Sequence, residues 1–328
     1  MASSVFRAAA AAVLALACMP VFSQPASSPA YPSKTVRIVI PFPPGGTSDI
    51  LARTLAQKLT EEWGQQAIAE NRPGAAGNVA SEYVAKSKPD GYTLLINTVG
   101  THAINPAIYP NLPFDPVKDF TLITNLVNLP SLLIVHPSVP AASAQELIAL
   151  AKKRPGALQY SSAGSGSQPH LTAEMFKTMA GLDVLHVPYK GAGPQLLAIV
   201  SGEVTLTFAT APAAVPLVKN KQARAIAVTS AERVAALPDV PTLNESALPG
   251  YVAVGWNGLV GPAAIPAPIV DKIHAAVAKI YQQPDMRDKL IGLAAEPAIS
   301  TPEEFTALIK SELVKWAKAV KDSGAKLE

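Results

Sequence analysis

Residues 35–49 constrain the fold more than any other part of the chain. TVRIVI at 35–40 is a β-branched run that stops at Pro41, the pattern of a buried strand. The loop PFPPGGTSD at 41–49 leads straight into ILARTLAQKL at 50–59, whose apolar positions 50, 51, 55 and 59 share one helix face. Strand, glycine turn and helix make a βα unit, and such units assemble into α/β sheets. The alternation continues with a helix around 77–85, a turn at 88–91 and a strand at 92–96.

A second series follows. Ser143 and Glu146 predict a capping box for a helix that runs to Arg154 and stops at Pro155-Gly156. Strands are expected at 158–161, 184–187, 204–208 and 223–228, with helices at 169–179, closed by Gly181, and at 196–200. Between the first strand and helix of this series lies a second glycine-rich loop, SSAGSGS at 161–167. Two apolar segments join the two series. Residues 120–135 are long for one strand and read in part as a crossing between domains, and 252–260 read as the return. The first domain is therefore discontinuous, 34–126 plus 254–328, and the second is 127–253. Tail helices are expected at 268–281 and 302–320, the latter with Thr301 as cap, Pro302 in the first turn and Glu304 three residues after the cap. A length of 328 residues suits two domains.

The first 23 residues read as an address rather than as structure. One positive charge, Arg7, precedes the apolar run 8–17, and a small, polar stretch follows. That run is about half of what a bilayer span needs, so export with cleavage after Ser23 is expected, leaving 24–33 as a disordered lead-in. A rival reading makes Cys18, the single cysteine, a lipidated N-terminus. With 27 basic against 24 acidic residues and no basic cluster, nucleic acid is not an expected partner. The lone cysteine excludes a disulfide framework and a thiolate metal site.

Both glycine-rich loops suit an anion. Glycines admit close backbone approach, and the first N–H groups of a helix are unpaired donors at the positive end of a dipole. The bland alternatives are an ordinary helix start for 41–49 and a flexible linker for 161–167. Neither loop has the spacing of a phosphate-binding or dinucleotide motif. There is no nucleophile elbow, and the histidines at 102, 136, 170, 186 and 274 lack metal-ligand spacing, so no catalytic residue, metal or cofactor is expected. His102, in the strand-end loop 97–102, is the histidine best placed to face a crevice. Arg53 and Lys190 meet either an anion or solvent, and Trp256 is expected to pack at a hinge.

Five segments occur together in an order that resembles one family: PFPPGGTSD at 41–49, ENRPGAAGN at 70–78, PDGYTLL at 89–95, VPYKG at 187–191 and GWNGL at 255–259. The chain resembles the Bug/TctC family, the periplasmic substrate-binding proteins of tripartite tricarboxylate transporters, over essentially its whole length after residue 31. The resemblance implies an α/β, two-lobed periplasmic-binding-protein-like (class II) fold that closes on a small carboxylate at crossings near 126–134 and 250–256. It implies ligand contacts from Gly45, Gly46, Thr47, Ser48 and Asp49, from Thr98, Thr101 and His102, and from Ser162, Gly164, Ser165, Gly166 and Ser167. Thr210 stands where the family often carries a carboxylate. Implied partners are the carboxylate and the permease subunits, for a monomeric binding protein; presentation to a membrane sensor kinase is the alternative. An α/β hydrolase or lyase using Ser165 or His102 is the enzymatic alternative.

Overall fold

β1 (Val36–Ile40) forms where the β-branched run predicts it, with Val36, Ile38, Val39 and Ile40 fully buried. Burial on both faces is what a central parallel strand requires. β1 pairs in parallel with β2 (Ala67–Asn71) on one side and β3 (Thr93–Thr98) on the other. The computed structural model describes residues 31–323; the leader at 1–23 with Cys18, and residues 24–30, lie outside the described residues. α1 (Thr47–Trp63) starts three residues before the apolar spacing begins, so Thr47, Ser48 and Asp49 form its first turn. Its Leu51, Leu55 and Leu59 are buried, each contributing roughly 1.5–3 kcal/mol. Gly64 ends it in the left-handed conformation. α2 (Asn78–Ala85) follows, and a π-helical turn at Gly100–Ile104 leads from β3 into α3 (Asn105–Ile108).

β4 (Phe120–Val135) is one continuous strand of 16 residues that serves two sheets. Its first part pairs antiparallel with β9 (Val254–Pro262), which also pairs with β3, and with the short β10 (Glu296–Pro297). From Ser131 onward it pairs instead with β7 (Leu206–Thr210) and β8 (Arg224–Val228). Pro130, which has no N–H to give a ladder, is the last residue in register with β9. Ser131 then donates its N–H to the Thr229 hydroxyl at 2.8 Å. Hence the stretch expected as part strand, part crossing is strand throughout, and the crossing is made within it.

The second sheet is completed by β5 (Gln159–Ser162), parallel to β7, and β6 (Leu185–Pro188), parallel to β5. Its helices are α4 (Ala144–Lys153), α5 (Gln168–Ala180), α6 (Ala192–Val200), α7 (Ala211–Lys219) and α8 (Leu243–Ser246). α9 (Ala267–Gln282), α10 (Pro284–Gly292) and α11 (Pro302–Ser323) close the chain. Trp256, Phe305 and Trp316 centre one core, and Tyr160, Phe176, Phe208 and Tyr251 another. The molecule is thus two-lobed, with the sheets continuous through β4. Among the described residues no helix is long and apolar enough to cross a membrane.

The predicted caps differ in outcome. Thr301 and Glu304 make the reciprocal pair, with Glu304 N–H to the Thr301 hydroxyl at 3.2 Å and Thr301 N–H to the Glu304 carboxylate at 2.9 Å. At α4 only half of the box forms: Ser143 accepts from Glu146 N–H, but the Glu146 carboxylate takes the N–H of Ala142 at 2.6 Å.

Candidate functional site

The loop after β1 is fastened by Asp49. Its carboxylate accepts from Arg53 Nε at 3.0 Å, Asn71 Nδ2 at 2.9 Å and the Gly45 N–H at 3.1 Å. Burial alone would raise the Asp49 pKa, but the bonds from Arg53, Asn71 and Gly45 outweigh it and hold the carboxyl below its usual range. The cap residue Gly46 brings no side chain, and the N–H groups of Asp49 and Ile50 turn back to its carbonyl. The N–H groups of Thr47 and Ser48 are the first-turn donors left over. Ser48 Oγ accepts from Asn257 Nδ2 at 2.9 Å, and Thr47 Oγ1 lies 2.7 Å from Thr210 Oγ1 at the end of β7. The last contact ties the first glycine loop to the second lobe.

The second loop is held by two histidines. Ser162 Oγ lies 2.6 Å from His186 Nε2 and accepts the Gly164 N–H, while the Gly166 N–H donates to His170 Nδ1 at 3.0 Å. The two imidazoles stack with centroids 4.2 Å apart and planes 4° from parallel. Burial, with help from His170 and Lys177, lowers the His186 pKa to about 3, so that ring is neutral at ordinary pH. Gly164 has φ +121°, a conformation that side chains rarely adopt, and a Cβ there would lie 3.3 Å from the Tyr189 carbonyl oxygen.

Between the loops lies a cavity of about 800 Å3. The cap residues of four helices line it: Gly46 of α1, Ser167 of α5, Gly191 of α6 and Thr210 of α7. Four positive helix ends therefore converge on one space, a field that favours an anion without a cluster of basic side chains. Lys190, exposed, is the one cationic side chain among the lining residues.

Of the residues expected to touch a ligand, Gly46, Thr47, Ser48, Asp49, Thr98, Gly164, Ser165, Gly166, Ser167 and Thr210 line the cavity. Gly45, Thr101, His102 and Ser162 do not. Gly45 is exposed and spends its N–H on Asp49. The turn at 100–104 points Thr101 and His102 into the protein, where both are fully buried. Thr101 Oγ1 accepts the Thr98 N–H at 3.0 Å, and the His102 ring sits 4.6 Å from that of Phe120 and 6.0 Å from that of Phe114. Burial lowers its pKa to about 3. Ser162 is spent on His186 and Gly164. Arg53 pairs with Asp49 and Asn71 and stays outside.

Other residues join that loop reasoning did not single out. The turn at 73–77 lines the cavity, with Ala75 and Ala76 at φ 46° and 51°. So do Asn105, Tyr109, Gln195, Leu196 and Asn257. Trp256, expected to pack at a hinge rather than meet a ligand, lines the cavity and also packs in the core, meeting Phe305 edge-on at 5.5 Å. Gly191, at φ +109°, caps α6 where any Cβ would lie 3.3 Å from the Pro43 ring, so a glycine there lets the start of α6 pack beside the first loop. The glycine in VPYKG was a signal for this. Among the described residues no group of His, Cys, Asp and Glu side chains is arranged to hold a metal ion.

Known proteins share this architecture. A Rhodopseudomonas palustris protein solved with adipate superposes with a TM-score of 0.88 at 38% identity, covering 91% of this chain and 100% of that one. MatC from the same species, with bound malate, gives 0.82 at 33%, over 88% and 100%. Protein BugT of Bordetella pertussis is 32% identical over 305 residues, 93% of this chain and 94% of its own length. The TctC family, described as the tripartite tricarboxylate transporter family receptor, matches residues 51–325. Its members are solute-binding receptors rather than enzymes. With that match spanning most of the chain, the protein belongs to the TctC/Bug family of receptors.

Proposed function

We propose that this chain is a periplasmic solute-binding protein that captures one small organic carboxylate between its lobes and delivers it to the membrane permease subunits of a tripartite tricarboxylate-type transporter. The observation that carries the reading is the convergence of four helix N-termini on one cavity, with a glycine-rich loop at two of them. Similarity to proteins solved with adipate and malate supports an organic acid as the class of ligand. In this reading Thr47, Ser48 and Thr98 contact the ligand from one lobe and Gly164, Ser165, Ser167 and Thr210 from the other. Gly46 admits the ligand to the helix end, and Asp49 and Gly166 hold the two loops in shape.

The leader at 1–23 supplies export, with cleavage after Ser23. The lobes are 34–126 plus 254–328 and 127–253, and they close at the crossings near 126–134 and 250–256 because the ligand touches both. The protein acts as a monomer without a cofactor.

Thermal unfolding of the mature chain with adipate, malate and other acids tests the reading. An acid at 100 times its Kd stabilises the protein by about 2.7 kcal/mol. The double variant Thr47→Val with Ser48→Ala removes both hydroxyls from the first turn, and its affinity is expected to fall about tenfold or more. Absence of any shift with every acid at millimolar concentration overturns the reading; an unchanged affinity in the double variant overturns the assignment of the first loop.

A further inference from the structure

The chemistry of the cavity wall speaks to the ligand's far end. Two charged side chains are found there, Asp49 and Lys190. The Asp49 carboxylate is already committed: Oδ1 accepts from Arg53 and Asn71, and Oδ2 from the Gly45 N–H. Thr210 is neutral, and its hydroxyl lies 2.7 Å from that of Thr47. The Gln195 amide nitrogen is spent on the Thr207 hydroxyl at 2.7 Å and the Phe208 carbonyl at 2.8 Å. The wall therefore offers no uncommitted carboxylate to a ligand ammonium group, and the helix N-termini repel one.

Much of the remaining wall is apolar. Phe42, Val99, Leu129, Leu196, Ala213 and Trp256 come from both lobes, and about 800 Å3 is far more room than a compact four-carbon acid fills. Cavities of a few hundred to about 1,000 Å3 with this make-up hold ligands that bury substantial apolar area. Lys190 is exposed, so a second negative charge finds a partner only if the ligand reaches it.

We infer that the ligand is a carboxylic acid with an apolar aliphatic or aromatic body and no ammonium group, and that α-amino acids and compact tricarboxylates are excluded. Thr210 is the residue that keeps amino acids out, because it places a neutral hydroxyl rather than a carboxylate beside the anion site. The inference rests on the carboxylate reading above and narrows it. An ammonium group brought into such a wall loses hydration without gaining a counter-charge. An apolar body gains free energy by burying its surface against this wall.

Matched pairs test this by isothermal titration of the mature chain: 3-phenylpropanoate against phenylalanine, and hexanoate against norleucine, with citrate, adipate and malate alongside. The des-amino acid of each pair is expected to bind at least about tenfold more tightly than its amino counterpart, with citrate among the weakest. The variant Thr210→Asp is expected to narrow the gap within each pair, and should that variant fail to fold, the wild-type pairs decide. An amino acid that equals or exceeds its des-amino partner, or citrate as the tightest ligand, overturns the inference while leaving carboxylate capture standing. Failure of every acid to bind, adipate and malate included, overturns the carboxylate reading and this inference with it.

Discussion

His102 carries a pH dependence that can be worked out in advance. Its ring is fully buried beside Phe114 and Phe120, Nδ1 lies 3.0 Å from the Thr101 hydroxyl, and Nε2 has no partner. Burial lowers the folded pKa from 6.5 to about 3. Between those values the unfolded chain takes a proton at this position and the folded chain does not, so stability falls as pH falls. The loss is about 1.4 kcal/mol per pH unit once the unfolded histidine is charged. From pH 8 to pH 4.5 that amounts to about 2.7 kcal/mol from this one group. His186 acts in the same direction, and acidic groups with lowered pKa values, such as Asp49, lose their stabilising effect mainly at still lower pH. A difference between proteins therefore isolates His102. The variant His102→Phe keeps an aromatic ring in the cluster and removes the titration. Urea unfolding of both proteins across pH 4.5–8 is expected to show wild type with the steeper dependence, by about one proton in the window. Carbon-13 labelling of the histidine rings gives a second reading, in which the His102 resonance stays flat through pH 5. Equal slopes in the two proteins, or a His102 resonance with a midpoint near 6.5, refute the reasoning.

Further substitutions probe the scaffold. A methyl group at Gly258 would lie 2.7 Å from Phe305 Cε1 and 2.8 Å from Asn97 Oδ1, so Gly258→Ala is expected to cost about 1–3 kcal/mol or more by thermal unfolding, with partial recovery in the double variant Gly258→Ala with Phe305→Leu. No loss in the single variant contradicts the close packing. Asp49→Asn removes the charge that holds Arg53, Asn71 and Gly45 around the first loop, at an expected cost of about 1–3 kcal/mol at pH 7. Arg53→Ala is expected to cost less, since the Arg53 side chain is 52% exposed. Equal stability of Asp49→Asn and wild type refutes the anchoring role.

Much of the scaffold was legible because its signals are local. β1, the start of α11 and the left-handed end of α5 at Gly181 follow from β-branching, capping chemistry and glycine. β2 was not, because AIAEN has little strand propensity and its pairing with β1 is a tertiary fact. α10, at Pro284–Gly292, lacks a clear apolar face beyond Met286 and Leu290. In the site, the glycine loops announce themselves by composition. Which side of a strand-end loop faces the cavity is set by packing, and this separates Thr98, which lines it, from Thr101 and His102, turned inward three and four residues later. The contributions of 73–77, Gly191 and Trp256 depend on how remote segments meet, which periodicity does not encode.

The most direct measurement is a crystal structure of the mature protein with a bound carboxylic acid such as adipate. The carboxylate oxygens are expected within about 3.2 Å of the backbone N–H groups of Thr47 and Ser48, with the second-lobe loop at 164–167 closing on the same group. A carboxylate held instead by Lys190 at the rim, or a ligand outside the cavity, contradicts the account.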